Sequence, residues 1–226
     1  MGSIRRPNLQ NSCLENRMKF RLSLFALSVG VALIATARAD NTATGNAERG
    51  KVLGYTCHGC HGIENYKNVY PTYSVPKVGG QNADYMVNAL KGYASGDRAH
   101  PTMHAHAASL SEQDRADIAA FFAASPVREA GAPVGTAPAA ATTCVACHGL
   151  DGVSKAPENP NLAGQHRDYL EQALRDYKAG KRKNAVMAGM VSSLKDEDIP
   201  AIAKFFASQK TALCATDKIR EHGKCQ

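Results

Sequence analysis

The sequence predicts an all-α protein built from two tandem small helical domains. Two observations carry this prediction: the chain contains an internal repeat, and apolar residues recur at helical spacing within each copy. At 226 residues, of which 44% are hydrophobic, the chain is long enough for two small globular domains and little more.

The repeat joins segments that lie 84 residues apart in the chain. The matched segments are Gly79-Gly80-Gln81 with Ala163-Gly164-Gln165, Asp84-Tyr85 with Asp168-Tyr169, Tyr93, Gly96 and Arg98 with Tyr177, Gly180 and Arg182, and Ile118-Ala119 with Ile202-Ala203. A Phe-Phe-Ala segment also closes each copy, at 121–123 and 205–207. The chain is therefore two copies of one domain.

Apolar spacing and capping residues predict the helices of each copy. In the first copy they lie at about 46–57, 82–95 and 112–124, and Ser111, with Asp114 three positions later, marks the start of the third. In the second copy they lie at about 166–179 and 197–209. Segment 131–138 is rich in glycine, proline and alanine, so we expect a linker there, and a second domain without a leading helix.

The first 39 residues have the pattern of a secretory signal peptide. An apolar run from Leu22 to Thr36 follows basic residues and precedes Ala37-Arg38-Ala39, a small-x-small cleavage pattern, so we expect maturation at Asp40 and a periplasmic protein. The run is shorter than the roughly 20 residues of a membrane-spanning helix, and a retained signal anchor is the less favoured alternative. Met18 is an alternative start, which would make residues 1–17 an extension.

The charge of the expected mature chain argues against nucleic acid as a partner. The formal net charge of the full sequence is +7, but residues 1–39 hold six Lys or Arg and one Glu, so residues 40–226 carry only +2. Nucleic-acid binding depends on a clustered basic surface, and the signal peptide accounts for much of the basic excess. Export also predicts an oxidising compartment, in which cysteines outside a cofactor site pair.

Each copy carries one Cys-x-x-Cys-His motif. The two motifs lie 87 residues apart, three more than the later segments of the repeat, because the second copy lacks three residues between its motif and those segments. The first motif is Cys57, Cys60 and His61, and the second is Cys144, Cys147 and His148. Structural zinc usually takes two Cys pairs around one ion, but each of these motifs has a single pair followed by a His. A thioredoxin-like disulfide needs a βαβ context, whereas the segments that flank these motifs are helical. On a helical turn the two sulfurs and the imidazole share a face, as covalent haem attachment requires. We therefore expect two covalently bound haem c groups.

The repeat also indicates the second axial ligand of each iron. Among the methionines of the mature chain, only Met103 and Met187 align with each other. Met190 is the main rival of Met187, and Met86 is expected to be a core residue. A thioether suits low-spin iron, and two six-coordinate haems would leave no open position for a substrate.

Four other histidines are expected to have no ligand role. His58 faces a valine in the second copy, so we expect an exposed polar side chain. His100, His104 and His106 surround Met103 and are expected to lie in a solvated loop. The alternative is that one of them replaces the sulfur, or that they hold a copper ion.

The motifs in combination resemble the diheme cytochrome c4 family, over roughly residues 46–209. In that family two class I cytochrome c domains, each around one haem, meet across a pseudo-twofold axis, and the proline before the Gly-Gln segment offers its carbonyl to the haem histidine. The resemblance places Pro76 and Pro160 in this role. It divides the chain into domain 1 at 40–126, a linker at 127–141, domain 2 at 142–210 and a tail at 211–226.

The tail contains Cys214 and Cys225, which have no counterpart in the first copy. With the other mature cysteines assigned to haem, we expect these two to form a disulfide that closes a loop of about 12 residues and contributes roughly 3 kcal/mol. A free or intermolecular thiol is the alternative.

The resemblance implies an electron carrier, not an enzyme, that works between a quinol-oxidising complex and a terminal oxidase. We expect redox protein partners and a monomer, and peripheral membrane association is compatible with both. Lys181, Arg182 and Lys183 precede Met187 and could steer an acidic partner, or form a solvated loop. The alternative functions are the cytochrome subunit of a sulfide- or alcohol-oxidising dehydrogenase, and a diheme enzyme such as a peroxidase or thiosulfate dehydrogenase. No catalytic residues stand out.

Overall fold

The computed structural model describes residues 44–124, 131–210 and 212–216, and its secondary structure is helical. The expected signal peptide lies outside these residues. In the first copy the elements are α1 (Ala47–Leu53), a 3-10 turn (Gly54–Cys57), α2 (His58–His61), α3 (Ala83–Ser95), α4 (Pro101–Ala107) and α5 (Glu112–Ala123). In the second copy they are a 3-10 turn (Ala139–Ala141), α6 (Val145–His148), α7 (Arg167–Lys178), α8 (Ala185–Ser192) and α9 (Ile199–Ala207). The described part contains isolated β-bridges but no sheet.

Helix α1 packs closely on α5 because a glycine lies at their crossing. A Cβ atom on Gly50 would come within 1.9 Å of the Asp117 carbonyl oxygen. Beside this contact the N–H of Asn46 donates to the buried Asp117 carboxylate at 2.7 Å, and Arg49 pairs with Asp114 and Asp117. The contact holds the start of domain 1 against its last helix and so positions the Cys motif that follows.

Domain 2 lacks a counterpart of α1, as expected from its sequence. Residues 131–138 form no helix, and a 3-10 turn at Ala139–Ala141 leads directly into the second Cys motif. Ala141 is fully buried in the apolar cluster formed by Leu170, Ile202, Phe205 and Phe206. Ala137 and Ala140, from the linker and the same turn, also pack against this cluster.

Two helices were not expected from the sequence. Helices α4 and α8 are seven and eight residues long, and each begins immediately after a capping residue, His100 or Asn184. Pro101 at the first position of α4 and Asn184 as the cap of α8 are helix-start signals that could have revealed both helices.

Both copies lie within one compact unit of the chain, Ala43–Gln226, and contact each other through matched positions. The segments around Arg98 and Arg182 pair antiparallel, with Ala99 N–H donating to Lys181 O at 2.9 Å and Lys183 N–H donating to Asp97 O at 2.7 Å. Arg98 and Arg182 are equivalent in the repeat, so this contact has pseudo-twofold symmetry.

The tail contacts both domains at equivalent positions. Ala212 N–H donates to Ala163 O at 3.2 Å, and Cys214 exchanges two main-chain hydrogen bonds of 3.0 and 3.1 Å with Gly79. Cys214 is disulfide-bonded and packs in the core of domain 1. Its expected partner, Cys225, lies outside the described residues, so that pairing stays a prediction.

Candidate functional site

The two Cys motifs have the same local structure. In each motif the second Cys and the His lie in a four-residue helix, α2 or α6, and the first Cys immediately precedes that helix. Cys57, Cys60, Cys144 and Cys147 form no disulfide with one another or with other cysteines among the described residues. Each site therefore presents two thiols and one imidazole on a single helical turn, the donor set that covalent haem attachment needs.

Each motif histidine is oriented by a proline carbonyl, as the resemblance implied. His61 Nδ1 lies 2.8 Å from Pro76 O, and His148 Nδ1 lies 3.0 Å from Pro160 O. A carbonyl oxygen can only accept, so Nδ1 carries the proton and Nε2 keeps the lone pair that binds a metal. Burial lowers the pKa of both histidines, which favours the neutral ligand form.

Met103 and Met187 occupy the same position in matching helices. The N–H of Met103 donates to His100 Nδ1 at 3.2 Å, and the N–H of Met187 donates to Asn184 Oδ1 at 2.9 Å. Both methionines are partly buried, whereas Met190 is 47% exposed. Met187 therefore shares the capped position of Met103, and Met190 does not.

Electrostatic interactions relate these helices to the motif histidines. Besides burial, the positive charge of Arg98 and interactions with His100 and His106 lower the pKa of His61. In domain 2, Arg182 acts in the same way on His148.

The histidines around Met103 have structural contacts. His100 caps α4, His104 Nδ1 lies 2.8 Å from the Tyr93 carbonyl, and His106 is exposed. Their segment is a helix and not the expected loop. Within the described residues no group of three or more His, Cys, Asp or Glu is arranged to hold a metal ion, so nothing supports the copper alternative.

The prediction for His58 was wrong. Its side chain is only 7% exposed and packs edge-on against Phe121 and Phe122, with ring centroids 6.1 and 5.6 Å away. The repeat comparison showed that this position does not share the motif, but it could not show that the ring points into the core. Met86, by contrast, is buried in the domain 1 core as expected.

Four residues at the domain contact form a cationic cluster whose role was not predicted from the sequence. Arg98 donates to Tyr169 Oη at 2.7 Å, and Arg182 donates to Tyr85 Oη at 2.7 Å. Burial raises the pKa of Tyr85, but the charges of Arg182 and Arg98 outweigh it and lower the pKa to about 7. Among the described residues no carboxylate forms an ion pair with either arginine. Asp176 lines the same small cavity as both arginines.

The basic segment before Met187 is not a free charged surface. Arg182 is only 9% exposed and points into the domain contact, and Lys183 pairs with Asp97 at 3.2 Å. Of the three residues that could have steered a partner, only Lys181 is exposed without such an ion pair among the described residues. Arg182 is therefore removed from this surface, whereas Lys181 and Lys183 remain exposed, so partner steering by the segment stays a prediction.

Comparison with known proteins agrees with the two-domain geometry. The family model described as Cytochrome c matches residues 47–125 and again residues 135–210. Cytochrome c4 of Pseudomonas aeruginosa is 47% identical over 79 residues, which span 35% of this chain and 39% of that protein. The thiosulfate dehydrogenase electron acceptor of Stutzerimonas stutzeri is 30% identical over 171 residues, which span 67% of this chain and 78% of that protein.

A solved structure shares the same arrangement. Reduced recombinant cytochrome c4 from Pseudomonas stutzeri superposes with a TM-score of 0.57 at 27% identity, over 73% of this chain and 99% of that one. Two tandem helical domains, each with its own Cys-x-x-Cys-His motif, define a diheme c-type cytochrome, a class of electron carrier. Within this class the chain belongs to the diheme cytochrome c4 family and binds two covalently attached haem c groups.

Proposed function

We propose that this cytochrome carries electrons through two six-coordinate haems, with His61 and Met103 as axial ligands in domain 1 and His148 and Met187 in domain 2. The observation that supports this proposal is the structural equivalence of the two sites. Each has a histidine with Nε2 left for iron, and a methionine at the third position of a capped helix. The haem, when bound, supplies a one-electron Fe(III)/Fe(II) couple.

The chain's own residues hold each haem and orient its ligands. Cys57 and Cys60 would bind the first haem through thioether bonds, and Cys144 and Cys147 would bind the second. The Pro76 and Pro160 carbonyls fix the imidazoles and raise their basicity. Arg98 and Arg182, which donate to tyrosine hydroxyls at the domain contact, would provide positive charge for a haem propionate.

Closed coordination is what separates a carrier from an enzyme. With thioether sulfur on both irons, the oxidised protein should show two equivalents of the sulfur-to-iron charge-transfer band at the red edge of the spectrum. It should also bind carbon monoxide and cyanide poorly. One band or none, with rapid cyanide binding to the freshly isolated protein, would contradict the proposal and favour a diheme enzyme.

The proposed location is the periplasm, after removal of residues 1–39. The signal sequence supports it. The part of the chain that the structure describes contains no helix with the length and hydrophobicity needed to cross a bilayer. Mass spectrometry of the mature protein should give a chain that begins at Asp40 and carries two haems. A mass that includes residues 22–36 would indicate a retained anchor.

The identity of the electron donor is the second part of the proposal. The first candidate is electron transfer from a quinol-oxidising complex to a terminal oxidase, which the family resemblance implies. A periplasmic dehydrogenase is the second, because two relatives are named thiosulfate dehydrogenase electron acceptors. Stopped-flow reduction distinguishes them. If a periplasmic dehydrogenase is the donor, thiosulfate together with a purified thiosulfate dehydrogenase should reduce both haems. Neither thiosulfate alone nor the dehydrogenase alone should do so.

A further inference from the structure

One peptide group joins each haem histidine to the opposite domain. The Pro76 carbonyl that binds His61 Nδ1 at 2.8 Å belongs to the same peptide plane as the N–H of Lys77. That N–H donates to Oε1 of Gln165, in domain 2, at 3.0 Å. His61 is therefore linked through a single peptide group to a side chain of the other domain.

The second site contains the equivalent series of hydrogen bonds. The Pro160 carbonyl that binds His148 shares its peptide group with the N–H of Asn161. That N–H donates to Oε1 of Gln81, in domain 1, at 2.8 Å. Gln81 and Gln165 are equivalent in the repeat, so each domain supplies the glutamine that binds the histidine-supporting peptide of the other.

Each glutamine binds its target residue through both ends of the amide. Gln165 Nε2 donates to Lys77 O at 2.9 Å, and Gln81 Nε2 donates to Asn161 O at 3.0 Å. The glutamines are only 4% and 5% exposed, so water cannot replace these bonds without opening the domain contact. The two bonds are made to consecutive peptide groups, so they fix the orientation of Lys77 and of Asn161, and with it the direction of the preceding carbonyl that faces the imidazole.

We infer that Gln165 and Gln81 are crossed positioning residues, each of which tunes the reduction potential of the haem in the opposite domain. The inference rests on the proposed axial role of His61 and His148. A hydrogen bond to a peptide N–H polarises the amide and makes its carbonyl a stronger acceptor. The stronger acceptor draws the Nδ1 proton and raises the basicity of the imidazole, which stabilises Fe(III). Each glutamine therefore lowers the potential of the haem across the contact.

The test replaces each glutamine with methionine, which has similar volume but does not accept this bond strongly. Gln165→Met should raise the potential of haem 1, and Gln81→Met should raise that of haem 2. We expect the reduced-to-oxidised ratio of the affected haem, at fixed ambient potential, to rise about threefold. This equals about 28 mV, since tenfold corresponds to 59 mV for one electron. Met103→His and Met187→His assign the two reduction steps, because exchange of a thioether for an imidazole lowers the potential of that haem.

Gln209 provides a matched control. It is also 4% exposed and binds both main-chain groups of one residue, with Val134 N–H donating to Oε1 at 2.8 Å and Nε2 donating to Val134 O at 3.0 Å. Val134 is not next to a haem-binding proline. Gln209→Met should therefore destabilise the fold comparably and leave both potentials unchanged.

The crossed response is the decisive result. A shift confined to the haem of the substituted domain, an equal shift of both haems, or no shift in either variant would overturn the inference. If Gln165→Met does not accumulate with two haems, Gln165→Asn and the mirror variant Gln81→Met make the same prediction. Charge-transfer bands that persist in all variants, without a crossed shift, would leave the axial assignment intact and reject this inference alone.

Discussion

The main-chain N–H of Met187 donates to the side-chain oxygen of Asn184 at 2.9 Å, and this bond fixes the first turn of α8. His100 holds Met103 by the same bond in α4, with a ring nitrogen in place of the amide oxygen. A short helix has little stability of its own, so its capping residue controls how firmly the methionine is held.

Loss of this cap should loosen the sulfur in domain 2. Asn184→Ala removes a bond worth about 1 kcal/mol, so cyanide should bind haem 2 about fivefold more tightly than in the unmodified protein. Optical titration with cyanide measures this. Asn184→Asp retains a capping oxygen and should behave like the parent, and equal cyanide affinity in the alanine variant would show that the cap does not hold the ligand.

The choice between Met187 and Met190 can be tested by a pair of leucine substitutions. Met187→Leu should remove one of the two sulfur-to-iron charge-transfer bands, because leucine has no donor atom. Met190→Leu should keep both bands, since that side chain is 47% exposed. The reverse pattern would assign the second haem to Met190.

A side chain at the α1–α5 crossing should destabilise domain 1. Gly50→Ala would place a Cβ atom 1.9 Å from the Asp117 carbonyl oxygen, and overpacking of this kind costs about 1–3 kcal/mol. Gly92→Ala, in α3, is the control, because its Cβ would meet only Arg98 at 3.6 Å. Urea unfolding should show a lower midpoint for the first variant and an unchanged or higher one for the second.

Acid should weaken domain 1 through Asp114. Hydrogen bonds from the Ser111 hydroxyl and N–H, together with Arg49, lower the pKa of Asp114 from 3.8 to about 2. The unfolded chain therefore takes up this proton first, so the stabilisation is complete above about pH 4 and is lost as the pH falls toward 2. Ser111→Ala should flatten this part of the curve of urea midpoint against pH, whereas an unchanged curve would mean that the capping box does not carry the effect.

Much of the architecture could be predicted because it depends on local patterns. Helices α3, α5, α7 and α9 begin and end within two residues of the expected positions, since apolar spacing and caps such as Ser111 are local signals. The absence of a leading helix in domain 2 followed from glycine and proline in the linker. The Cys motifs also act within one helical turn, so their chemistry could be deduced without a fold.

The features that were missed depend on contacts between distant residues. The pocket that buries His58 is made by Phe121 and Phe122, more than 60 positions away in the sequence. Arg182 lies in a basic run, but its partner is Tyr85 of the other domain. The repeat identified Gln81 and Gln165 as shared positions and could not show that each acts across the domain contact.

The bonds between Cys214 and Gly79 also constrain how the protein can be assembled. Synthesis from the N-terminus produces Gly79 long before Cys214. The main-chain N–H and C=O of Gly79 therefore lack their partners until residues 212–216 have been synthesised and have packed against domain 1. Domain 1 therefore reaches its final form only after domain 2 exists, although it is the first to leave the ribosome.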